Sequence, residues 1–128
     1  MTREDIPDDV RRFILTSIKS VPMLEAILLM RGERGTPWDA KHLAQRLYIP
    51  EKTAAAILGD LHGAGFIRAI AGAEGTFHFD PISPELDAMC ASLQKTYSDN
   101  MIGVTNLIHS NVGKRAQQFA DAFKWRKD

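Results

Sequence analysis

Cysteine is nearly absent: Cys90 is the only one in 128 residues. No intrachain disulfide can form, so the fold must rest on an apolar core. A reducing, cytoplasmic setting is the expected one. Net charge is also lacking, because 16 Lys and Arg balance 16 Asp and Glu. The chain as a whole therefore offers no strong non-specific attraction to nucleic acid. No apolar run approaches the roughly 20 residues that a membrane-spanning helix needs, so no membrane partner is expected. The opening MTREDIPDDV is polar and acidic, unlike a signal peptide. Internal repeats and low-complexity segments are missing. So are a nucleophile elbow, a phosphate loop and a dinucleotide fingerprint. His42, His62, His78 and His109 show no metal-ligand spacing with each other, with Cys90 or with a carboxylate. Only His62 and His78 could meet, across a helix and a hairpin. Cys90 falls on an apolar stripe, where a buried, inert thiol is expected. The reading is a binding protein that is not an enzyme and has no cofactor.

What is present is a hydrophobic content of 45% and a charged content of 25%, ordinary for one small globular domain with appended helices. Its organising stretch is Asp39 to Ile67. Leu43, Ala44 and Leu47 recur at helical spacing. Ile49-Pro50 breaks that pattern, since proline cannot continue a helix but suits its start. Ala54, Ile57, Leu58 and Leu61 form a second apolar stripe. Gly63 and Gly65 supply left-handed positions to end it. Phe66 to Ile70 and Thr76 to Phe79 read as two strands, with turn chemistry at Ala71 to Gly75 between them.

These residues carry a resemblance. Leu43-Ala44, Leu47, Ile49-Pro50, then Ala54, Ile57-Leu58, Leu61 and Gly65-Phe66-Ile67 resemble the winged helix-turn-helix superfamily of bacterial transcriptional regulators, nearest to the MarR and PadR types. The resemblance covers about Val21 to Asp80. It implies a mainly α fold with a small β-hairpin wing, and DNA binding through the helix at about Glu51 to His62. The residues themselves give that helix an unusual outward face of Glu51, Lys52, Ala55, Ala56, Gly59 and Gly63, with Thr53 at its edge. Lys52 and Thr53 alone suit base contact there. Over Thr36 to Asp80, Lys41, Arg46, Lys52 and Arg68 are set against Asp39, Glu51, Asp60, Glu74 and Asp80, a net charge of −1. The expected DNA contacts are therefore Lys41, Arg46, Lys52, Thr53 and Arg68, holding double-stranded DNA weakly. The alternative partner is a protein, because the small residues Ala56, Gly59 and Gly63 let another backbone approach closely.

The flanks complete three segments: an N-terminal helix in 1–20, a winged helix in 21–82 and a C-terminal helical segment in 83–128. Residues up to Ile6 read as a frayed terminus. Pro7-Asp8-Asp9 starts a helix whose apolar face is Val10, Phe13, Ile14 and Ile18. Ser20 caps the next, with Pro22 in its first turn. Arg31 and Arg34 sit in a solvated loop around Glu33. Trp38 reads as a partly buried lid over the helix junction. Tyr48, in the turn, either caps backbone or touches a phosphate. Ser83-Pro84-Glu85 opens another helix. From there Leu86, Cys90, Leu93, Tyr97, Met101, Val104 and Ile108 form one seam, predicting a continuous helix of roughly 40 Å to about His109. Gly103 weakens it by about 1 kcal/mol against Ala. So long a seam exceeds what the domain can cover, which implies a homodimer through Leu86, Leu93, Tyr97, Met101, Val104 and Ile108. A break follows at Ser110 to Gly113. A last helix from about Lys114 carries Ala116, Phe119, Ala120 and Phe123, and its basic, aromatic end reads as docking on a neighbouring helix.

Overall fold

The structure, a computed structural model, describes residues 6–111. They are mainly helical, with one small antiparallel sheet. The order is α1 (Asp8–Ser17), α2 (Val21–Gly32), α3 (Ala40–Leu47), α4 (Glu51–Gly63), β1 (Ile67–Ala69), β2 (Phe77–Phe79) and α5 (Pro84–Asp99). A sixth helix, α6, follows over residues 101–111. The expected bounds of Glu51 to His62 and of the two strands agree with these to within two residues.

The local chemistry explains the starts. Ser20 accepts the Met23 N–H at 3.2 Å and Pro22 sits in the first turn of α2. Asp39 accepts the His42 N–H at 2.8 Å, and Ser83 accepts the Leu86 N–H at 3.1 Å. Each bond satisfies one of the four N–H groups that a helix start leaves open.

The centre of the fold is α2. Met23, Leu24, Ala26, Ile27 and Met30 are all buried, too many for one face. A helix apolar on several sides must be surrounded. It packs against α3, α4, α5 and β2. Each of Leu24 and Ile27 contributes about 1.5–3 kcal/mol by leaving water. Val10, Ile14 and Ile18 bring α1 to the same core, and Phe13 meets Phe66 edge-on at 6.1 Å. Ile6 is buried there too, so the expected fraying does not extend to it. Residues 1–5 and 112–128 lie outside the described part, and with them the predicted helix from Lys114.

The sheet pairs Ile67 with Phe79, Arg68 with His78 and Ala69 with Phe77. Trp38 extends it by one bridge, exchanging N–H···O bonds of 2.7 and 2.8 Å with Phe77. Trp38 is fully buried rather than a half-covered lid. The backbone bridge pulls its indole beneath the hairpin, where His42 stacks on it at 4.5 Å. Gly65 takes the left-handed angle φ 88°, whereas Gly63 remains helical.

The long helix is corrected. α5 stops at Asp99, and Asn100 leaves helical geometry at φ −149°, ψ 66°. Asn100 closes α5 by donating its N–H to the Thr96 carbonyl at 2.8 Å. Its side-chain oxygen accepts the Gly103 N–H at 3.0 Å and so starts α6. An asparagine with a glycine three residues later makes a helix start here, where periodicity alone implied continuity. The bend returns Val104 and Ile108 to the core that holds Cys90 and Leu93. Asn111 donates to the Leu15 carbonyl at 2.9 Å and pins α6 to α1. The seam is thus covered within one chain. Leu93, Val104 and Ile108 are fully buried, Leu86 and Tyr97 partly, and Met101 alone is exposed. Among the described residues, Met101 and its neighbour Ile102 keep an exposed apolar edge. α6 also continues through Asn111, past the expected break at Ser110.

Candidate nucleic-acid interface

α3 and α4 join through a tight turn. Tyr48 adopts φ 57°, ψ 47°, which lets the N–H groups of Tyr48 and Ile49 both reach the Ala44 carbonyl. Pro50 then precedes α4, its fixed φ matching a helix entry. Ala54, Ile57, Leu58 and Leu61 turn inward, and Leu43 meets them from α3. The opposite face of α4 is exposed: Glu51, Lys52, Thr53, Ala55, Ala56, Gly59 and Gly63. Among the described residues, the end of α1 flanks it only at Gly59 and Gly63.

The cations divide into two groups. Lys41 and Lys52 are exposed and have no carboxylate partner among the described residues. Arg46 and Arg68 are engaged. Arg46 holds Glu33 with both arms, Nη1 to Oε1 at 3.0 Å and Nη2 to Oε2 at 2.7 Å. This bond draws the Glu33 carboxyl below its usual range and the Arg46 guanidinium above its own. Arg68 places Nε 2.7 Å from Oδ2 of Asp80 across the hairpin. Lys19 likewise reaches Asp60 at 3.3 Å. The geometry therefore leaves Lys41, Lys52 and Thr53 of the five expected contacts free, and ties Arg46 and Arg68 to acids.

Glu33 and Asp80 are the residues that sequence reasoning undervalued. Both entered only as charges, and their partners lie 13 and 12 positions away. Arg31 and Arg34 also depart from expectation. Arg34 pairs with Asp87, and Arg31 donates to Gln94 at 2.7 Å, so the two fasten the α2–α3 loop and the last turn of α2 to α5.

A groove of about 370 Å³ opens at the far end of α4. Gly59 and Gly63 form one wall, Thr16 and Ser17 the other, and Lys19 and Asp60 lie along it. A Cβ at either glycine would meet nothing within 4 Å, so this part of α4 is smooth and open.

The histidines are occupied separately. His42 stacks on Trp38, His62 lies against Phe77 at 5.2 Å, and His78 stands 3.8 Å from Asp80. Among the described residues no three His, Cys, Asp or Glu side chains are grouped to hold a metal. Cys90 is buried, and that burial, with Asp87 nearby, pushes its thiol up to about 11. It is therefore protonated at neutral pH.

Comparison with protein-family models, curated proteins and solved structures finds no match to the chain.

Proposed function

We propose that the chain is a winged helix-turn-helix protein that binds duplex DNA through α4, in the manner of a transcriptional regulator. The observation that carries this reading is the bare outward face of α4, held between α3 and the β1–β2 hairpin. Two helices joined by a tight turn, then a hairpin bridged to Trp38, match the arrangement that presents one helix to a major groove. Lys52 and Thr53 sit in the first turn of that helix, and Lys41 at the start of α3. With few free cations, binding is weak and falls steeply with salt.

Titration of a labelled random-sequence duplex in a salt series tests it. Lys52→Ala and Lys41→Ala should each lower affinity and flatten the logarithmic salt slope by about one unit. No binding at low salt overturns the reading.

A second reading, a winged-helix module that binds a protein instead, draws on two observations. Arg46 and Arg68 are already paired with Glu33 and Asp80. The glycine wall of the groove admits a close backbone approach. Gly59→Arg would fill the groove and block such a partner while leaving Lys41 and Lys52 in place.

A further inference from the structure

We propose that Tyr48 is a DNA-backbone contact whose phenol hydroxyl donates a hydrogen bond to a phosphate oxygen beside α4, an inference that rests on the DNA-binding reading above.

Two independent features of Tyr48 call for an explanation outside the chain. The first is its backbone. Among the described residues it is the sole non-glycine with positive φ. An L side chain there crowds its own carbonyl, which is why turns between paired helices often use glycine. The second is its exposure. Tyr48 is 94% exposed, more than any other large apolar residue described. No described residue gives its side chain a hydrogen bond, an ion pair or a ring contact. The phenol caps no backbone group and covers no apolar surface. Inside the chain, glycine or asparagine would serve this turn better.

Its position supplies the partner. Tyr48 stands four residues before Lys52, at the open end of the α3–α4 turn. Tyrosine hydroxyls belong to the set of groups that position proteins on phosphates. A neutral donor also suits this surface. Glu51 begins α4 and opposes an approaching phosphate, and Arg46 is held by Glu33. A hydroxyl on a long, rigid arm can reach a phosphate without adding charge to that arrangement.

Neutrality gives the contact a distinctive signature. A hydroxyl displaces no condensed counterion, so its loss lowers affinity without changing the salt slope. Lysine loss changes both. The test is titration of the full chain with a labelled random-sequence duplex across a salt series. Tyr48→Phe should weaken binding by about tenfold or more at every salt concentration, the scale of one hydrogen bond to a charged acceptor. Its slope should match that of the unsubstituted chain. Tyr48→Asn should weaken binding at least as much, yet melt at a higher temperature, since asparagine tolerates the left-handed region. If the unsubstituted chain binds and Tyr48→Phe binds equally well, the contact is refuted and the DNA reading stands. If the unsubstituted chain does not bind at all, both fall.

Discussion

Arg46 and Glu33 meet through both arms of the guanidinium, at 3.0 and 2.7 Å, with the same guanidinium 5.6 Å from the Trp38 ring centre. The pair fastens the α2–α3 loop to the last turn of α3. It also occupies the one arginine on α3, which would otherwise be available to a phosphate. On the proposed DNA-binding reading, Glu33 would compete with a phosphate for Arg46.

Glu33→Gln removes the competing charge. If α4 binds DNA, the substitution should raise affinity and steepen the salt slope by about one unit, because one more phosphate is neutralised. Unchanged affinity and slope in the titration would show that Arg46 does not reach the duplex.

Gly103→Ala should destabilise the protein, although helix propensity predicts the reverse. A Cβ at 103 would overlap the Asn100 side chain, which starts α6 by accepting the Gly103 N–H. Losing that cap costs up to about 2 kcal/mol, which outweighs the roughly 1 kcal/mol that alanine gains by propensity and is read as a lower urea midpoint. A gain in stability would mean that Asn100 swings aside freely.

Leu93→Ala should cost about 2–5 kcal/mol, the range for emptying a packed core position. Leu93 is fully buried within the single chain. The loss should therefore persist at any protein concentration. A decrease in sedimentation coefficient with an unchanged unfolding midpoint would instead place Leu93 at a subunit contact.

Cys90 gives the protein an alkaline limit. Burial holds its thiol near 11 in the fold, against 9.0 for a free thiol. Between those values the unfolded chain has lost the proton and the folded chain keeps it. The folded state then binds more protons, so stability falls as pH rises from about 9 to 11. Tyr97 acts in the same direction, since burial and then Glu25 raise its phenol. Cys90→Ala should flatten the decline between pH 9 and 11 in denaturant titrations. Identical slopes would show that the thiol does not titrate with folding.

Much of the architecture was legible in local chemistry. Ser20 and Ser83 announce helix starts because a short polar side chain can satisfy a nearby N–H. The stripe Ala54, Ile57, Leu58 and Leu61 announces α4 and its inward face, since helical period alone puts those residues together. Its complement, with Lys52 and Thr53, follows by elimination. Ala71 to Gly75 announces the hairpin.

Tertiary structure decided the rest. The seam from Leu86 to Ile108 keeps its period through Asn100, so the repeat by itself cannot distinguish one long helix from two helices sharing a core. The distinction lies in whether Val104 and Ile108 find cover within the chain, and they join the core cluster that also holds Val10 and Ile14 of α1, to which Asn111 ties α6. Trp38 carries no local sign that it will bridge Phe77, 39 positions away. The charges behave similarly. Composition determines that cations and anions balance, but Coulomb attraction acts through space, and only the fold brings Glu33 to Arg46 and Asp80 to Arg68 while leaving Lys41 and Lys52 in water.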